Sequence, residues 1–255
     1  MNFSKWNSVI KNLDSRRDIA IPGDHEQTIH FCVDYFIEKA KKAILQNGFF
    51  SVALSGGSTP KEILKQLTLP ENRKQVEWDK VLFFFGDERS VPPTDPESNY
   101  KMAMDCALKD LQIPSNHIFR MVAEKDPEEN ARAYEKIILE KVPNGQFDLI
   151  TLGMGDDGHT ASLFPHTDAL KAKGVLVTAN EVPQKQTLRM TFTYECINQA
   201  HNICFFVLGK GKANILPKVL QGDYTPLDYP SQKIGTESTK ALWILDNESS
   251  TKLKI

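Results

Sequence analysis

The chain has 255 residues, 40% of them hydrophobic and 25% charged, which is enough to bury a substantial core and excludes a disordered or fibrous protein. Its formal net charge of −2 provides no global field to gather nucleic acid or settle on an anionic membrane, so an anionic ligand needs cations assembled locally. The 4 cysteines, Cys32, Cys106, Cys196 and Cys204, form no CxxC pair, which favours reduced thiols in the cytoplasm over a disulfide framework or a zinc site.

In chain order, Met1–Asp18 lacks the continuous apolar stretch of a signal peptide. Asp24 and Gln27 then open a helix whose apolar residues Ile29, Val33, Phe36, Ile37, Ala40 and Ile44 recur at helical spacing, and Gly48 closes it. A strand over Phe49–Leu54 runs into Ser55-Gly56-Gly57-Ser58-Thr59-Pro60, and Thr59-Pro60-Lys61-Glu62 reads as a capping box with proline at the first helical position. The run Val81–Phe85, too short to cross a bilayer, reads as a second strand, followed by a loop over Gly86–Asn99. Asp126-Pro127-Glu128-Glu129 caps another helix. Phe147–Leu152 predicts a strand, Gly153–Pro165 a long loop, and Val175–Ala179, Leu188–Thr193 and Ile203–Leu208 further strands. The loop Gly209–Ala213 and a last strand over Ala241–Leu245 follow. Several of these strands are almost wholly apolar, as in parallel sheets covered on both faces. With no repeat or linker, the alternation predicts one α/β domain over residues 1–255, a sandwich with a mainly parallel sheet and right-handed crossovers. In such sheets ligands bind at loops leaving the carboxyl ends of strands, so the four loops at Ser55, Gly86, Gly153 and Gly209 should converge.

Each loop carries chemistry. Ser55, Gly56, Gly57 and Ser58 let a ligand approach the backbone at a helix N-terminus, which suits a phosphate or carboxylate, or they simply form a tight turn. Gly153-Met154-Gly155-Asp156-Asp157-Gly158 matches the spacing of a dinucleotide fingerprint, and Glu181 lies near the expected acidic position. Two carboxylates inside that turn would repel a pyrophosphate, so the match is rejected. His159 follows at once, two residues after an Asp able to orient its ring, and reads as a catalytic base. Asp87-Glu88-Arg89 is either a solvated charge cluster or part of a site. Lys210 and Lys212 would ordinarily be solvent-exposed, but Arg89 and Lys212 are cations on loops that should meet and are suited to clamp a phosphate.

Taken together, Leu54–Pro60, Gly86–Pro92 with Ser98-Asn99-Tyr100, the segment Gly153–Pro165, Arg189–Thr193 and Gly211-Lys212-Ala213 resemble the 6-phosphogluconolactonase family from about residue 20 onward. The histidine segment is the most specific; the serine-glycine loop is shared with the related glucosamine-6-phosphate deaminases. Asp156 departs from the family's more frequent Glu but keeps the charge. The resemblance implies a three-layer, modified Rossmann-like fold of the glucosamine-6-phosphate deaminase type. It also implies hydrolysis of 6-phospho-D-glucono-1,5-lactone to 6-phospho-D-gluconate, the second step of the oxidative pentose phosphate pathway, without metal or other cofactor. The catalytic pair falls on His159 and Asp157, and substrate contacts fall on Arg89, Lys212, Ser55, Gly56, Gly57 and Ser58, with Arg189 also assigned. The expected partner is a small sugar-phosphate lactone, with neither nucleic acid nor membrane involved.

A lactone is an activated internal ester, so one base, one water and some stabilisation of an oxyanion suffice; an ordinary imidazole, with a pKa of about 6.5, is a suitable base. A serine nucleophile elbow is absent, because Pro60 stands where the last glycine of GxSxG belongs. Two rivals are an isomerase or deaminase on the same fold and the effector-binding module of a transcription regulator. The short N-terminus leaves no room for the regulator's DNA-binding segment. The deaminases carry Asn-Glu-Pro after their histidine, where this chain has Leu163-Phe164-Pro165.

Overall fold

In a computed structural model, which describes residues 3–254, the chain folds into the following elements. They are β1 (Ile10–Asn12), β2 (Arg17–Ala20), α1 (His25–Asn47), β3 (Phe50–Leu54), α2 (Ser58–Thr68), α3 (Pro70–Arg73), β4 (Val81–Phe85), β5 (Asp87–Arg89), α4 (Asn99–Ala103), α5 (Pro127–Lys141), β6 (Leu149–Leu152), β7 (Val177–Val182), β8 (Thr187–Phe192), α6 (Tyr194–Asn198), β9 (Ile203–Val207), α7 (Leu216–Leu220) and β10 (Ala241–Leu245). No helix among the described residues is long and apolar enough to cross a membrane.

The main sheet has the order β1-β2-β10-β9-β6-β3-β4, parallel throughout except for the antiparallel edge pair β1–β2. Its strands read as continuous apolar runs because alternate residues enter two separate cores. Phe50, Val52 and Leu54 of β3 face the core under α1 and α2, while Ala53 faces the other. Likewise Leu242 and Ile244 of β10 point one way, and Ala241, Trp243 and Leu245 the other. In that second core Trp243 stacks on Phe205, with ring centroids 3.9 Å apart and planes 9° from parallel. The four cysteines are free and buried.

The helix starts show what local sequence can and cannot specify. Asp24 and Gln27 form the reciprocal box expected of α1: Gln27 N donates to Asp24 Oδ1 at 2.9 Å and Asp24 N to Gln27 Oε1 at 3.1 Å, and Gly48 closes the helix in the left-handed region at φ 83°. Asp126 caps α5 through Glu129 N at 3.1 Å. The expected Thr59 box does not form. The helix α2 begins at Ser58, one residue before the proposed cap, and its N-cap Gly57 has no side chain to close it.

Three further differences bear on the site. Asp87–Arg89, expected as loop, is a strand, and the strands expected at Val175–Ala179 and Leu188–Thr193 do not join the main sheet. They form β7 and β8 of a separate antiparallel sheet of order β5-β8-β7. This sheet packs beside α5, with Met190 and Phe192 entering the core on that face. It thereby places Arg189 directly opposite Arg89. The polar strands β1 and β2 carried no apolar signal to predict them.

The sheet order contains one switch point. After β3 the chain crosses to β4 at the edge, then returns to β6 on the other side of β3. The loops leaving β3 and β6 therefore part from each other at their carboxyl ends, which opens a crevice there.

Candidate active site

That crevice is lined by Ser55, Gly56 and Gly57 after β3, by Asp87, Arg89 and Asn99 from the β5–α4 segment, by Gly153, Met154, Gly155, His159 and Ala161 after β6, and by Arg189 of β8. Three of the four expected loops thus meet in one cleft. The fourth reaches it indirectly, through Lys212, whose Nζ lies 2.6 Å from Asp156 Oδ1 on the histidine loop. Ser58 is exposed at the first position of α2 and is not among the lining residues.

The histidine loop closes on itself. Gly155 N donates to His159 O at 2.9 Å, and Gly158 N to Gly155 O at 3.1 Å. A Cβ on Gly155 would stand 2.1 Å from His159 Nδ1 and 2.6 Å from Asp157 Oδ1, so only glycine leaves room for the two side chains to fold back together. No helix follows, and the loop passes instead into a bridge between Thr160 and Leu163, which removes the helix N-terminus that a dinucleotide fingerprint requires. Asp157 Oδ1 lies 2.5 Å from His159 Nδ1 and accepts from His159 N at 3.1 Å. This contact selects the tautomer with its proton on Nδ1 and leaves the lone pair on Nε2. Burial pushes the Asp157 carboxyl up, but the hydrogen bonds and charge of His159 outweigh it and hold the pKa below the usual value. The imidazole also stacks on the buried ring of Phe164, centroid to centroid 3.9 Å, which fixes its plane.

The adjacent acids of β5 diverge. Glu88 is 3% exposed and accepts four hydrogen bonds: Arg89 N at 2.9 Å and Asn99 N at 2.8 Å on Oε1, and Ser98 Oγ and Tyr100 N, each at 2.9 Å, on Oε2. Burial pushes its pKa up, and these donors offset only part of that shift. It therefore binds the start of α4 to β5. Asp87 lines the cleft, accepting from Ser162 Oγ at 2.7 Å and from Asn99 Nδ2 at 3.2 Å. Asn99 in turn packs against the first loop, where a Cβ on Gly56 would fall 1.9 Å from its Oδ1.

The cations sit beside these acids. Arg89 Nη1 donates to the Glu97 carbonyl, and Arg189 Nη1 lies 3.5 Å from Ser162 Oγ. Burial depresses the pKa of Arg189; nearby Asp87 opposes that and Arg89 adds to it. Arg89 Nε, Arg189 Nε and Ser55 Oγ are buried without a hydrogen-bond partner among the described residues. Two guanidinium donors and a hydroxyl left unsatisfied in one cleft make a site whose polarity suits an anion rich in oxygen acceptors.

A profile described as glucosamine-6-phosphate isomerases/6-phosphogluconolactonase matches residues 23–243. The chain belongs to this family. It is 42% identical over 216 residues to the 6-phosphogluconolactonase of Chlamydia pneumoniae, covering 84% of this chain and 82% of that one. It is 39% identical to that of Haemophilus influenzae, covering 76% and 84%. The solved structure of the Trypanosoma brucei 6-phosphogluconolactonase superposes with a TM-score of 0.80 at 27% identity, covering 92% of this chain and 98% of that one. Membership in the glucosamine-6-phosphate isomerase/6-phosphogluconolactonase family agrees with the switch-point cleft and its histidine loop.

Sequence reasoning passed over Ser162, which ties Asp87 to Arg189, and gave no role to Asp156 or Asn99. Buried serine and asparagine carry no periodicity signal, and only the fold brings residues 87, 99 and 162 together. Glu88→Gln would set an amide against donors and leave the Tyr100 or Asn99 amide unpaired. We expect it to lower unfolding stability by about 1–3 kcal/mol in urea titration. An unchanged midpoint would show that α4 does not depend on this carboxylate.

Proposed function

We propose that the chain hydrolyses 6-phospho-D-glucono-1,5-lactone to 6-phospho-D-gluconate, with His159 as general base and Asp157 as the residue that orients and electrostatically supports it. The observation that carries this reading is a single cleft holding the Asp157–His159 pair together with two arginines whose Nε–H groups are unsatisfied. Water attacks the lactone carbonyl carbon while Nε2 of His159 takes its proton. The tetrahedral oxyanion then collapses, the bond from C1 to the ring oxygen breaks, and the imidazolium returns the proton to that oxygen. The phosphate is held by Arg89, Arg189 and Lys212, next to the Ser55–Gly57 loop. Because no side chain caps α2, the first amides of that helix remain free for an anion.

Phe164 favours hydrolysis over deamination. It occupies the position where deaminases place the glutamate that partners their histidine, and here an apolar ring 1% exposed is stacked on the imidazole. Aldose–ketose isomerisation moves a proton between adjacent carbons and opens a ring; Asp87 remains in the cleft as a base, but position 164 supplies no second carboxylate to partner the histidine. The lactonase reaction needs no such group. We expect no ammonia release from glucosamine 6-phosphate; release at a rate near lactone turnover would overturn the assignment.

His159→Ala should lower kcat by roughly 10²-fold or more in a coupled assay on enzymatically generated lactone while 6-phosphogluconate binding is kept. Near-normal turnover by the folded variant would remove His159 from the mechanism. Arg89→Ala and Lys212→Ala should each cost about 1.5–3 kcal/mol in kcat/KM on the phosphorylated lactone and much less on gluconolactone. Equal losses on both substrates would assign these cations to the fold or to the carbonyl.

A further inference from the structure

Asp246 directly follows β10 and is 1% exposed, yet the chemistry proposed above does not use it. Its carboxylate is committed to backbone donors. Gly209 N lies 3.1 Å from Oδ1 and 3.0 Å from Oδ2, and Ser249 N donates to Oδ1 at 2.8 Å. The pairing of β9 with β10, in register to Val207 and Leu245, brings these two strand ends side by side. Gly209 is the residue from which the short turn Lys210–Lys212 starts, with Lys212 N donating to Gly209 O at 3.0 Å. From that turn Lys212 Nζ reaches Asp156 on the histidine loop. A titratable side chain, His25, also faces it, with Nδ1 4.0 Å from Asp246 Oδ2 and Nε2 2.9 Å from Glu62 on α2.

A neutral side chain can satisfy a single glycine N–H without the cost of burying a charge, so holding that bond does not by itself account for a carboxylate here. The carboxylate instead joins two backbone amides by charge-assisted bonds, those of Gly209 and Ser249, and so ties the end of β10 to the peptide that carries the cation of the fourth loop. We propose that Asp246 is a positioning residue: through the Gly209 N–H it sets where Lys212 stands, and so sets the preference for phosphorylated over unphosphorylated lactone. This rests on the reading that Lys212 meets the substrate phosphate.

The test is Asp246→Asn, made alone and together with Lys212→Ala, assayed on 6-phosphogluconolactone and on gluconolactone. The amide keeps one acceptor oxygen and loses the charge and the second contact. The single variant should raise KM for the phosphorylated lactone about 3–10-fold, with kcat nearly unchanged and gluconolactone hydrolysis unaffected. In the Lys212→Ala background it should add almost nothing, because its effect passes through that lysine. Should Asp246→Asn not accumulate as folded protein, Asp246→Ser, which also keeps an acceptor oxygen, is read in the same way. Equal losses on both substrates, a fall confined to kcat, or full additivity with Lys212→Ala would each overturn the positioning role. If Lys212→Ala shows the phosphate-specific loss and Asp246→Asn does not, only the Asp246 proposal fails. If Lys212→Ala shows no such loss, the assignment of Lys212 fails first and takes the proposal with it.

Discussion

The cleft depends on one hydroxyl at the junction of β3 and β6. Thr151, 3% exposed, donates to Ala53 O at 3.1 Å and accepts from Ser55 N at 3.2 Å, so a β6 side chain holds the first residue of the loop that leaves β3. These are the two strands between which the sheet order reverses. Within the sheet the inner strands pair on both sides and both faces are covered by apolar cores, so a polar side chain such as Ser51 or Thr151 is kept there only by its hydrogen bonds. Only at the carboxyl ends, where the crossovers part, can donors remain unsatisfied without being sealed in an apolar interior. The unpaired Ser55 hydroxyl lies at that boundary.

A near-neutral chain concentrates positive charge by placing it among its own acids. Arg89 and Arg189 are opposed across the β5–β8 ladder, an arrangement in which like charges repel. Asp87, Glu88 and Glu97 surround the pair and favour the charged state of Arg189, against the burial that disfavours it. The Nε groups of both arginines are nonetheless left without acceptors, because the carboxylates nearest to them are engaged with backbone, hydroxyl and amide donors.

Much of this was legible in the sequence where the signal is local. Val81–Phe85 and Ala241–Leu245 are strands over those same residues, and the Asp24 and Asp126 caps form as read. The misreadings have a common origin in contacts distant along the chain. Asp87-Glu88-Arg89 has no apolar alternation and becomes a strand only because β8 pairs with it. The strand β7 continues through Asn180 and Glu181, beyond the end expected at Ala179. Asn180 is buried there because its amide bonds Ser162 O at 2.7 Å and Thr167 Oγ1 at 3.0 Å. Thr59 fails as a cap because the glycine turn carries the chain into α2 at Ser58, which places Pro60 at the third helical position instead of the first. The assigned site residues other than Ser58 and Lys212 line one cleft or, like Asp157, touch a residue that does. Ser162 and Asn99 lay within the segments that carry the family resemblance but were given no role, since a short polar side chain acquires meaning only from what the fold sets against it.

The acids of these loops divide by how many acceptor positions the fold has already filled. An ionised carboxylate offers about four. Glu88 uses four on three amides and a hydroxyl, so it is saturated and serves as a frame for α4. Asp246, bound by two backbone amides through three contacts and sealed from solvent, is a frame for the Gly209 turn. Asp87 has one donor on each oxygen and faces the cleft, which leaves positions that a sugar hydroxyl can occupy. Asp157 accepts from the backbone N–H of His159, contacts its ring Nδ1 and stays partly exposed, so it frames the histidine side chain alone and no other element. Sequence places Asp87 and Glu88 side by side as an undifferentiated acidic pair; the occupancy of their lone pairs separates the residue that holds the loop from the one that borders the cleft.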